Sequence, residues 1–273
     1  MAKSPRLLPT PPAFFLAEPP GERPARLVAE DAEHAIRVLR LRPGDLLLGL
    51  DGRGHRWPLR ITALGTHEIG LQPAGPGEFV PAPGEAGSML PWIELAVSWP
   101  RRNRIEGMIS RLVQLGASAI FPLDARHRGP ERVPAKIPAR ILKVAREACK
   151  QSGRTWVPEF EPACTPQDLV RSRREGALAL LDPHGGLSFD TWLRSLQPSP
   201  LTHGTRTRPI VLVVGPEGGL TAEERTAFLE AGSSPVWIGP HVLRVETAAE
   251  AAMAVAAAVL GVRPRMDGHS AST

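Results

Sequence analysis

The chain has 273 residues, of which 42% are hydrophobic, enough for one large domain or two smaller ones. Lys and Arg outnumber Asp and Glu by 33 to 28, and this arginine-rich excess fits a polyanionic partner such as RNA better than a membrane. Two cysteines, Cys149 and Cys164, are too few for a disulfide framework or a zinc cluster, so a reducing cytoplasm is the expected setting. The N-terminus lacks an apolar core of signal-peptide length, and the longest apolar run is too short to span a bilayer.

The N-terminal part is predicted to be a small β-rich module. The Asp51-Gly52 dipeptide is a strong hairpin signal between strand-like runs. A Pro- and Gly-rich segment, 72–91, is predicted to link this module to a second domain. The expected strands lie at Leu46–Leu50, His55–Thr62 and His67–Gln72, with Phe14 and Phe15 anchoring a first strand.

One basic helix is predicted within this module. Asp31 is expected to cap it, and its buried face is expected to carry apolar residues at helical spacing. The opposite face then presents cationic side chains. The apolar set is Ala35, Val38 and Leu39, and the cationic set is His34, Arg37 and Arg40.

The second part of the chain alternates strands with helices. This pattern predicts an α/β fold with a mainly parallel sheet that helices cover on both faces. The last helix is expected to begin at a capping box of Thr247 and Glu250, and its small residues suit either a subunit interface or an internal helix–sheet contact. Expected strands are Ile93–Val97, Ala119–Pro122, Ala177–Leu181, Val211–Val214 and Pro235–Ile238, and expected helices are Arg104–Leu115, Pro138–Gln151 and Ser188–Leu196.

A glycine-rich turn, Gly215–Gly219, follows the apolar run that ends at Val214. Thr221 and Glu224 form a capping box, so a helix is expected directly after the turn. The carboxyl end of a parallel strand is where ligands bind in open α/β sheets. The turn matches neither the Walker A loop nor the Gly-x-Gly-x-x-Gly pattern, which disfavours phosphate and nicotinamide cofactors. An ordinary tight turn is the alternative.

Other catalytic signatures are few. The chain has no Gly-x-Ser-x-Gly elbow and no His-Glu-x-x-His helix, and its histidines show no ligand spacing, so no metal is expected. Arg244 and Glu246 would point the same way in an extended segment, where they would grip RNA, orient a base or form a surface salt bridge. Gln151 and Arg154 have the same alternatives.

Four motifs follow one another along the chain. They are His34-x-x-Arg37-Val38-Leu39-Arg40-Leu41-x-Pro43-Gly44-Asp45, Glu147-Ala148-x-x-Gln151-Ser152-Gly153-Arg154, Val214-Gly215-Pro216-Glu217-Gly218-Gly219-Leu220-Thr221 and Ile238-Gly239-x-x-Val242-Leu243-Arg244-x-Glu246-Thr247-Ala248. Together they resemble the RsmE-type 16S ribosomal RNA (uracil-N3) methyltransferases of the SPOUT superfamily. The chain departs from that family at Asn103, Gln114 and Val245, which replace a common acid, Glu and Thr.

The resemblance implies a PUA-like RNA-binding β-barrel at 1–80 and a SPOUT α/β methyltransferase domain at 90–263. It also implies a C-terminal trefoil knot, and residues 264–273 are expected to be a disordered tail. The implied reaction is S-adenosyl-L-methionine-dependent methylation of N3 of a specific uridine in 16S ribosomal RNA. The implied partners are that RNA or the assembled small ribosomal subunit, and the implied assembly is a cytoplasmic homodimer with no membrane contact.

Residue roles carried over from the resemblance fall into three groups. The catalytic group is Arg244, Glu246 and Arg154. The cofactor-binding group is Leu181, Pro183, Gly215, Pro216, Glu217, Gly218, Ile238, Gly239, Pro240, Val242, Leu243 and Thr247. The RNA-binding group is His34, Arg37, Arg40, Arg42 and Gln151.

Two other functions are weighed against this one. The first is a different SPOUT RNA methyltransferase that acts on a ribose 2′-oxygen, although such enzymes carry an Asn-containing loop before the last helix. The second is a non-catalytic RNA-binding assembly factor, which the intact cofactor loops disfavour.

Overall fold

The computed structural model describes residues 11–21, 25–88, 90–128, 133–172, 175–196 and 203–261. The chain divides into two compact units. The first unit comprises Met1–Val80 and Cys149–Val157, and the second comprises Pro81–Ala148 and Pro158–Thr273. The first unit thus includes a short segment, Cys149–Val157, that begins near the end of the expected helix Pro138–Gln151 of the second domain. The expected tail, 264–273, lies outside the described residues.

A mainly antiparallel sheet forms the first unit. Its strands are β1 (Ala13–Phe15), β2 (Ala25–Val28), β3 (Leu46–Leu50), β4 (His55–Leu64), β5 (Glu68–Pro73) and β6 (Glu78–Phe79). The strand order is β1-β3-β4-β5-β2, with β6 added to β4, and only β1 and β3 pair in parallel. Alternate apolar residues such as Leu47, Leu59 and Ile69 meet in its core. Within the described part of the chain, no pairing of β1 with β2 closes this sheet into a barrel.

The predicted hairpin between β3 and β4 is confirmed. Gly52 adopts the left-handed backbone conformation, with φ of 76°. The Asp51 carboxylate accepts hydrogen bonds from the backbone N–H groups of Arg53 (2.7 Å) and His55 (3.0 Å). The turn is therefore stabilised by the residue types that favour it.

The basic helix differs from its prediction. Helix α1 (Ala29–Glu33) continues as a π-helical turn over His34–Val38, and Asp31 makes no cap. The Leu39 N–H donates to the carbonyl of His34, five residues earlier, so the wider turn rotates the following side chains outward. Ala35 is buried as expected, but Val38 is 64% exposed and Leu39 is 40% exposed.

A seven-stranded parallel sheet forms the second unit. Its strands are β7 (Ile93–Ser98), β8 (Ala119–Leu123), β9 (Glu159–Phe160), β10 (Ala177–Leu181), β11 (Leu187–Ser188), β12 (Ile210–Val214) and β13 (Ser234–Trp237). The order is β11-β13-β10-β12-β7-β8-β9, which confirms the predicted parallel α/β architecture. Strand β12 is buried throughout, as its apolar run predicts.

Helices cover this sheet on both faces. They are α2 (Arg102–Gln114), α3 (Ala139–Ser152), α4 (Pro166–Arg171), α5 (Phe189–Ser195), α6 (Ala222–Glu230) and α7 (Val245–Leu260), with the last residues of α3 in the first unit. Leu169 of α4 and Phe228 of α6 pack on Val211 and Val213 of β12. Helix α7 packs with α2 and α5 and contacts β7 and β12.

The small residues of α7 serve an internal contact. Ala249, Ala252 and Ala256 are fully buried, which lets the helix approach its neighbours closely. No helix in the described ranges combines the length and hydropathy that a bilayer crossing requires.

Candidate active site

A cleft of about 580 Å³ lies in the second unit. The loops after β10, β12 and β13 form its walls, and Val245 and Ala248 of α7 also line it. Because these strands are parallel, all three loops emerge at the carboxyl edge of the sheet, where α/β proteins bind ligands. A cleft of this volume accommodates a small organic molecule.

Most residues of the predicted cofactor-binding group line this cleft. Pro240 and Thr247 are exposed and lie outside the lining, so their assignment stays a prediction. The residues of the group that line the cleft are Leu181, Pro183, Gly215, Pro216, Glu217, Gly218, Ile238, Gly239, Val242 and Leu243. The structure thus brings together three segments that are distant along the chain.

The loop between β12 and α6 has the predicted strand–turn–helix form. The Thr221 hydroxyl accepts a hydrogen bond from the Glu224 N–H (3.2 Å), and the Glu224 carboxylate accepts one from the Thr221 N–H (2.9 Å). This capping box confirms the helix start. The N–H of Gly219, whose φ is 74°, donates to the Pro216 carbonyl at 2.9 Å and closes the turn.

Glycine suits two positions of the cleft, 218 and 239, for different reasons. A Cβ on Gly218 would lie 3.1 Å from both the Cβ and the carbonyl oxygen of His127, so the neighbouring segment packs against this backbone. That segment is also held by Glu224, whose carboxylate accepts the Arg126 N–H at 2.8 Å. Among the described residues, none beyond Gly239 and its two chain neighbours has a heavy atom within 4 Å of the Cβ position of Gly239. Its backbone is therefore open to an approaching ligand.

Asp182 and Arg225 fix the loop after β10. The Asp182 N–H donates to the Val236 carbonyl (2.9 Å), and the Asp182 carboxylate accepts hydrogen bonds from His184 N–H (2.8 Å) and Arg225 Nε (3.0 Å). Both side chains line the cleft. The expected loop at Leu181–Pro183 includes Asp182, but Arg225 was missed, because it belongs to no recognised motif and contacts Asp182 only in the fold.

Helix α7 begins earlier than predicted. Its first residue is Val245, and the expected capping box is wrong, since Thr247 and Glu250 lie inside the helix. Glu250 instead pairs with Arg111 of α2 at 2.7 Å. Arg244 precedes the helix in an extended conformation, and its side chain is exposed with no described partner.

Glu246 lies in the first turn of α7 and does not share an extended segment with Arg244. Its Oε1 is 3.1 Å from Nη1 of Arg104, and the same Nη1 is 3.6 Å from Oε1 of Glu217. The other Glu246 oxygen is buried and has no hydrogen-bond partner among the described residues. Arg104 was not anticipated as a site residue.

The predicted RNA-binding residues of the first unit are exposed. His34 and Arg37 lie on the π-helical turn, and Arg40 and Arg42 follow it directly. Gln151 is exposed near the end of α3. Exposed cationic side chains that are close along the chain are suited to phosphate contacts.

Arg154 follows the end of α3 and belongs to the first unit. Its backbone N–H donates to the Cys149 carbonyl at 3.0 Å. Burial lowers the pKa of its guanidinium to about 10, so it remains charged at neutral pH. Its catalytic role stays a prediction.

The three departures from the family occupy different surroundings. Asn103 is exposed in the first turn of α2. Gln114, also exposed, donates from Nε2 to the Ser110 hydroxyl at 3.1 Å. Val245 is buried and lines the cleft, so its apolar side chain is accommodated there. In the described ranges no group of three or more His, Cys, Asp or Glu side chains is arranged to hold a metal.

Comparisons with known proteins agree on one family. The model of an RNA methyltransferase domain matches residues 88–257, and that of an RNA methyltransferase PUA domain matches residues 29–72. A ribosomal RNA small subunit methyltransferase E from Synechocystis sp. is 30% identical over 243 residues, covering 88% of this chain and 74% of the relative.

Solved structures agree with this assignment. A ribosomal RNA small subunit methyltransferase E from Neisseria gonorrhoeae, bound to S-adenosyl methionine, has a TM-score of 0.73 and 27% identity and covers 92% of this chain and 98% of that one. A putative methyltransferase from Legionella pneumophila, also with bound S-adenosyl methionine, shares the fold with a TM-score of 0.75, 24% identity, and coverage of 91% and 97%. This chain belongs to the ribosomal RNA small subunit methyltransferase E family of RNA methyltransferases.

Proposed function

We propose that this protein methylates N3 of a specific uridine in 16S ribosomal RNA, with S-adenosyl-L-methionine as the methyl donor. The observation that carries the proposal is the cleft at the carboxyl edge of the sheet, because two of its three loops contain the family's C-terminal motifs. Residues 90–263 act as the methyltransferase domain in this proposal, and residues 1–80 bind RNA. A ribosomal substrate accords with the expected cytoplasmic location.

The residues of the cleft fit the methyl donor. When bound, S-adenosylmethionine supplies a methyl group on a positively charged sulfur. Asp182 and Glu217 provide carboxylates in the wall, which suit a donor that carries a sulfonium and an ammonium group. The open backbone at Gly239 and the apolar side chains of Ile238 and Leu243 suit the remainder of the molecule. Pro240 and Thr247 complete the proposed cofactor group.

The reaction requires an accessible N3. That nitrogen carries a proton and lies on the Watson–Crick edge, so the base has to be unpaired to react. The N3 proton passes to solvent water, and negative charge develops on the uracil oxygens as it leaves. The exposed guanidinium of Arg244 is suited to stabilise that charge, and Arg154 is the second candidate. Glu246 is better suited to orient a neighbour than to accept the proton, because its free oxygen is buried.

RNA contact is proposed for the basic turn of the first unit. His34, Arg37, Arg40 and Arg42 are exposed within nine consecutive positions and would contact phosphates, with Gln151 as a polar contact. These contacts would position the RNA, whereas the choice of base would depend on the cleft.

A C-terminal trefoil knot and an N-terminal PUA-like β-barrel are part of the proposal. The connection from β10 to β11 supports the knot, because Asp182 bonds to Val236 of β13 on one side and Leu187 pairs with Val236 on the other. The β10–β11 connection therefore passes from one side of β13 to the other, next to the point where the chain leaves β13 toward α7. A crystal structure that traced residues 182–245 without a threaded crossing would refute the knot.

We also propose that the protein is a homodimer. Leu187, Trp237 and Val242 are large apolar side chains on the segments around the cleft, and they are 39%, 40% and 77% exposed. Exposed apolar groups that cluster at a functional edge suit a subunit interface. Sedimentation equilibrium of the purified chain would show twice the monomer mass, and a mass of 29.4 kDa would refute the dimer.

The test is methyl transfer in vitro. Purified protein, S-adenosylmethionine labelled in the methyl group, and small ribosomal subunits from a strain that lacks the enzyme are incubated, and the RNA is digested to nucleosides. We expect labelled N3-methyluridine. Labelled 2′-O-methyluridine would favour the ribose-methylating alternative. An absence of label, together with no binding of the donor in calorimetry, would favour the assembly factor.

A further inference from the structure

Arg104 contacts two acidic residues from separate segments of the second unit. It lies in the first turn of α2, and its Nη1 is 3.1 Å from Glu246 of α7 and 3.6 Å from Glu217 of the cleft. One guanidinium therefore joins a wall of the cleft to the first turn of α7. Neither acidic residue is adjacent to Arg104 along the chain, so the contact exists only in the folded protein.

The two contacts differ in their surroundings. The Glu246 side chain is 12% exposed and that of Arg104 is 27% exposed, so this pair is poorly screened by solvent. The Glu217 side chain is 57% exposed, and such a pair adds little to stability. Glu246 therefore anchors Arg104, and the anchored guanidinium lies 3.6 Å from the Glu217 carboxylate at the cleft.

We propose that Arg104 is a positioning residue for methyl transfer. It holds Glu217 in the orientation that the methyl donor meets, and it links that loop to the helix start that follows Arg244. This inference rests on the proposed occupation of the cleft by S-adenosylmethionine. Loss of the guanidinium leaves the Glu217 loop without this support and leaves Glu246 as a buried carboxylate without its described partner.

A second ion pair between the same helices provides a matched control. Arg111 of α2 and Glu250 of α7 are 2.7 Å apart, and neither residue lines the cleft. Arg111→Met and Arg104→Met therefore each remove one arginine between α2 and α7. Only the second substitution removes a contact to a cleft residue.

The test is calorimetric binding of S-adenosylmethionine to the full-length chain. We expect Arg104→Met to raise the dissociation constant about tenfold, within the usual range for coupled sites, and Arg111→Met to change it less than twofold. Glu217→Gln, at an exposed position, is expected to weaken binding similarly without a folding defect. Adding Glu217→Gln to Arg104→Met is expected to weaken donor binding little further, because Arg104 is proposed to act on the donor only through Glu217. Arg104→Lys, which retains the charge, is expected to restore part of the affinity.

The outcomes separate a positioning role from a structural one. Equal losses of affinity in Arg104→Met and Arg111→Met would overturn the inference, because general helix packing would then explain both. Unchanged affinity in Arg104→Met, or additive effects in the double variant, would also overturn it. If Arg104→Met fails to fold in thermal unfolding, Glu217→Gln decides, and unchanged affinity there counts against the inference. Failure of the wild-type protein to bind the donor would instead refute the proposed function.

Discussion

Arg244 is the residue on which the proposed chemistry depends most directly. Its backbone is extended at the start of α7, and its guanidinium is exposed without a described partner. A charged group that forms no ion pair with any described residue is available to a substrate. Its neighbours Leu243 and Val245 line the cleft.

Arg244→Ala is therefore expected to reduce methyl transfer about a hundredfold, the usual cost of removing one donor to a developing negative charge. Affinity for S-adenosylmethionine is expected to stay within about twofold, because the substituted group acts on RNA. Single-turnover transfer and calorimetry measure the two quantities. Arg194→Ala, at an exposed arginine of α5, is the control, with transfer at the wild-type rate expected. Full transfer in Arg244→Ala with unchanged donor affinity would show that Arg244 has no such role.

Single residues that complete the site were the hardest to predict. The Arg225–Asp182 hydrogen bond joins positions 43 residues apart, and the Arg104–Glu246 hydrogen bond joins positions 142 residues apart. A sequence motif consists of residues that are close along the chain, so no motif contains both members of either pair. Gly215, Glu217 and Gly218 of the cleft were predictable because they belong to one short segment.

At the scale of elements, the β12–α6 loop connects the sheet to the cleft. Its capping box and its turn agree with the sequence because their interactions are local. Gly218 is different, since its contact with His127 comes from a distant segment. The loop therefore contains one glycine that the fold requires, whereas Gly239 of the next loop borders open space.

Gly218→Ala is expected to lower the free energy of unfolding by about 1–2 kcal/mol, the cost of a methyl group inserted into a packed contact. Gly239→Ala is expected to change it by less than about 0.5 kcal/mol, because its Cβ meets no protein atom. Urea unfolding of the ligand-free proteins measures both. Calorimetry should then show weaker donor binding in Gly239→Ala, because the added methyl group occupies space in the cleft that the donor is proposed to fill. Equal stability of the two variants would contradict this distinction.

Helix boundaries were predictable only where local signals controlled them. Gly116 and Gly153 follow α2 and α3 with φ of 99° and 71°, as glycine stop signals predict. The start of α7 was misplaced because Thr247 and Glu250, which resemble a capping box, lie inside the helix, where Glu250 pairs with Arg111. The π-helical turn after α1 was also missed, since it depends on how the turn packs and not on the period of its apolar residues.

At the scale of the whole molecule, the α/β class and the two-part organisation followed from patterns along the chain. Buried apolar runs separated by helices predict a parallel sheet, and β10 was predicted with its observed bounds. The placement of residues 149–157 with the first unit was not predictable, because nothing in composition distinguishes the end of α3 from its beginning. Strand order likewise depends on pairing between distant segments.

The central claim concerns one methyl group on ribosomal RNA. A strain that lacks this protein is compared with the same strain carrying the wild-type gene or the Arg244→Ala variant, and 16S ribosomal RNA is mapped by mass spectrometry. We predict that one N3-methyluridine disappears in the deletion strain, returns with the wild-type gene and does not return with the variant. An unchanged uridine methylation pattern in the deletion strain would contradict the account.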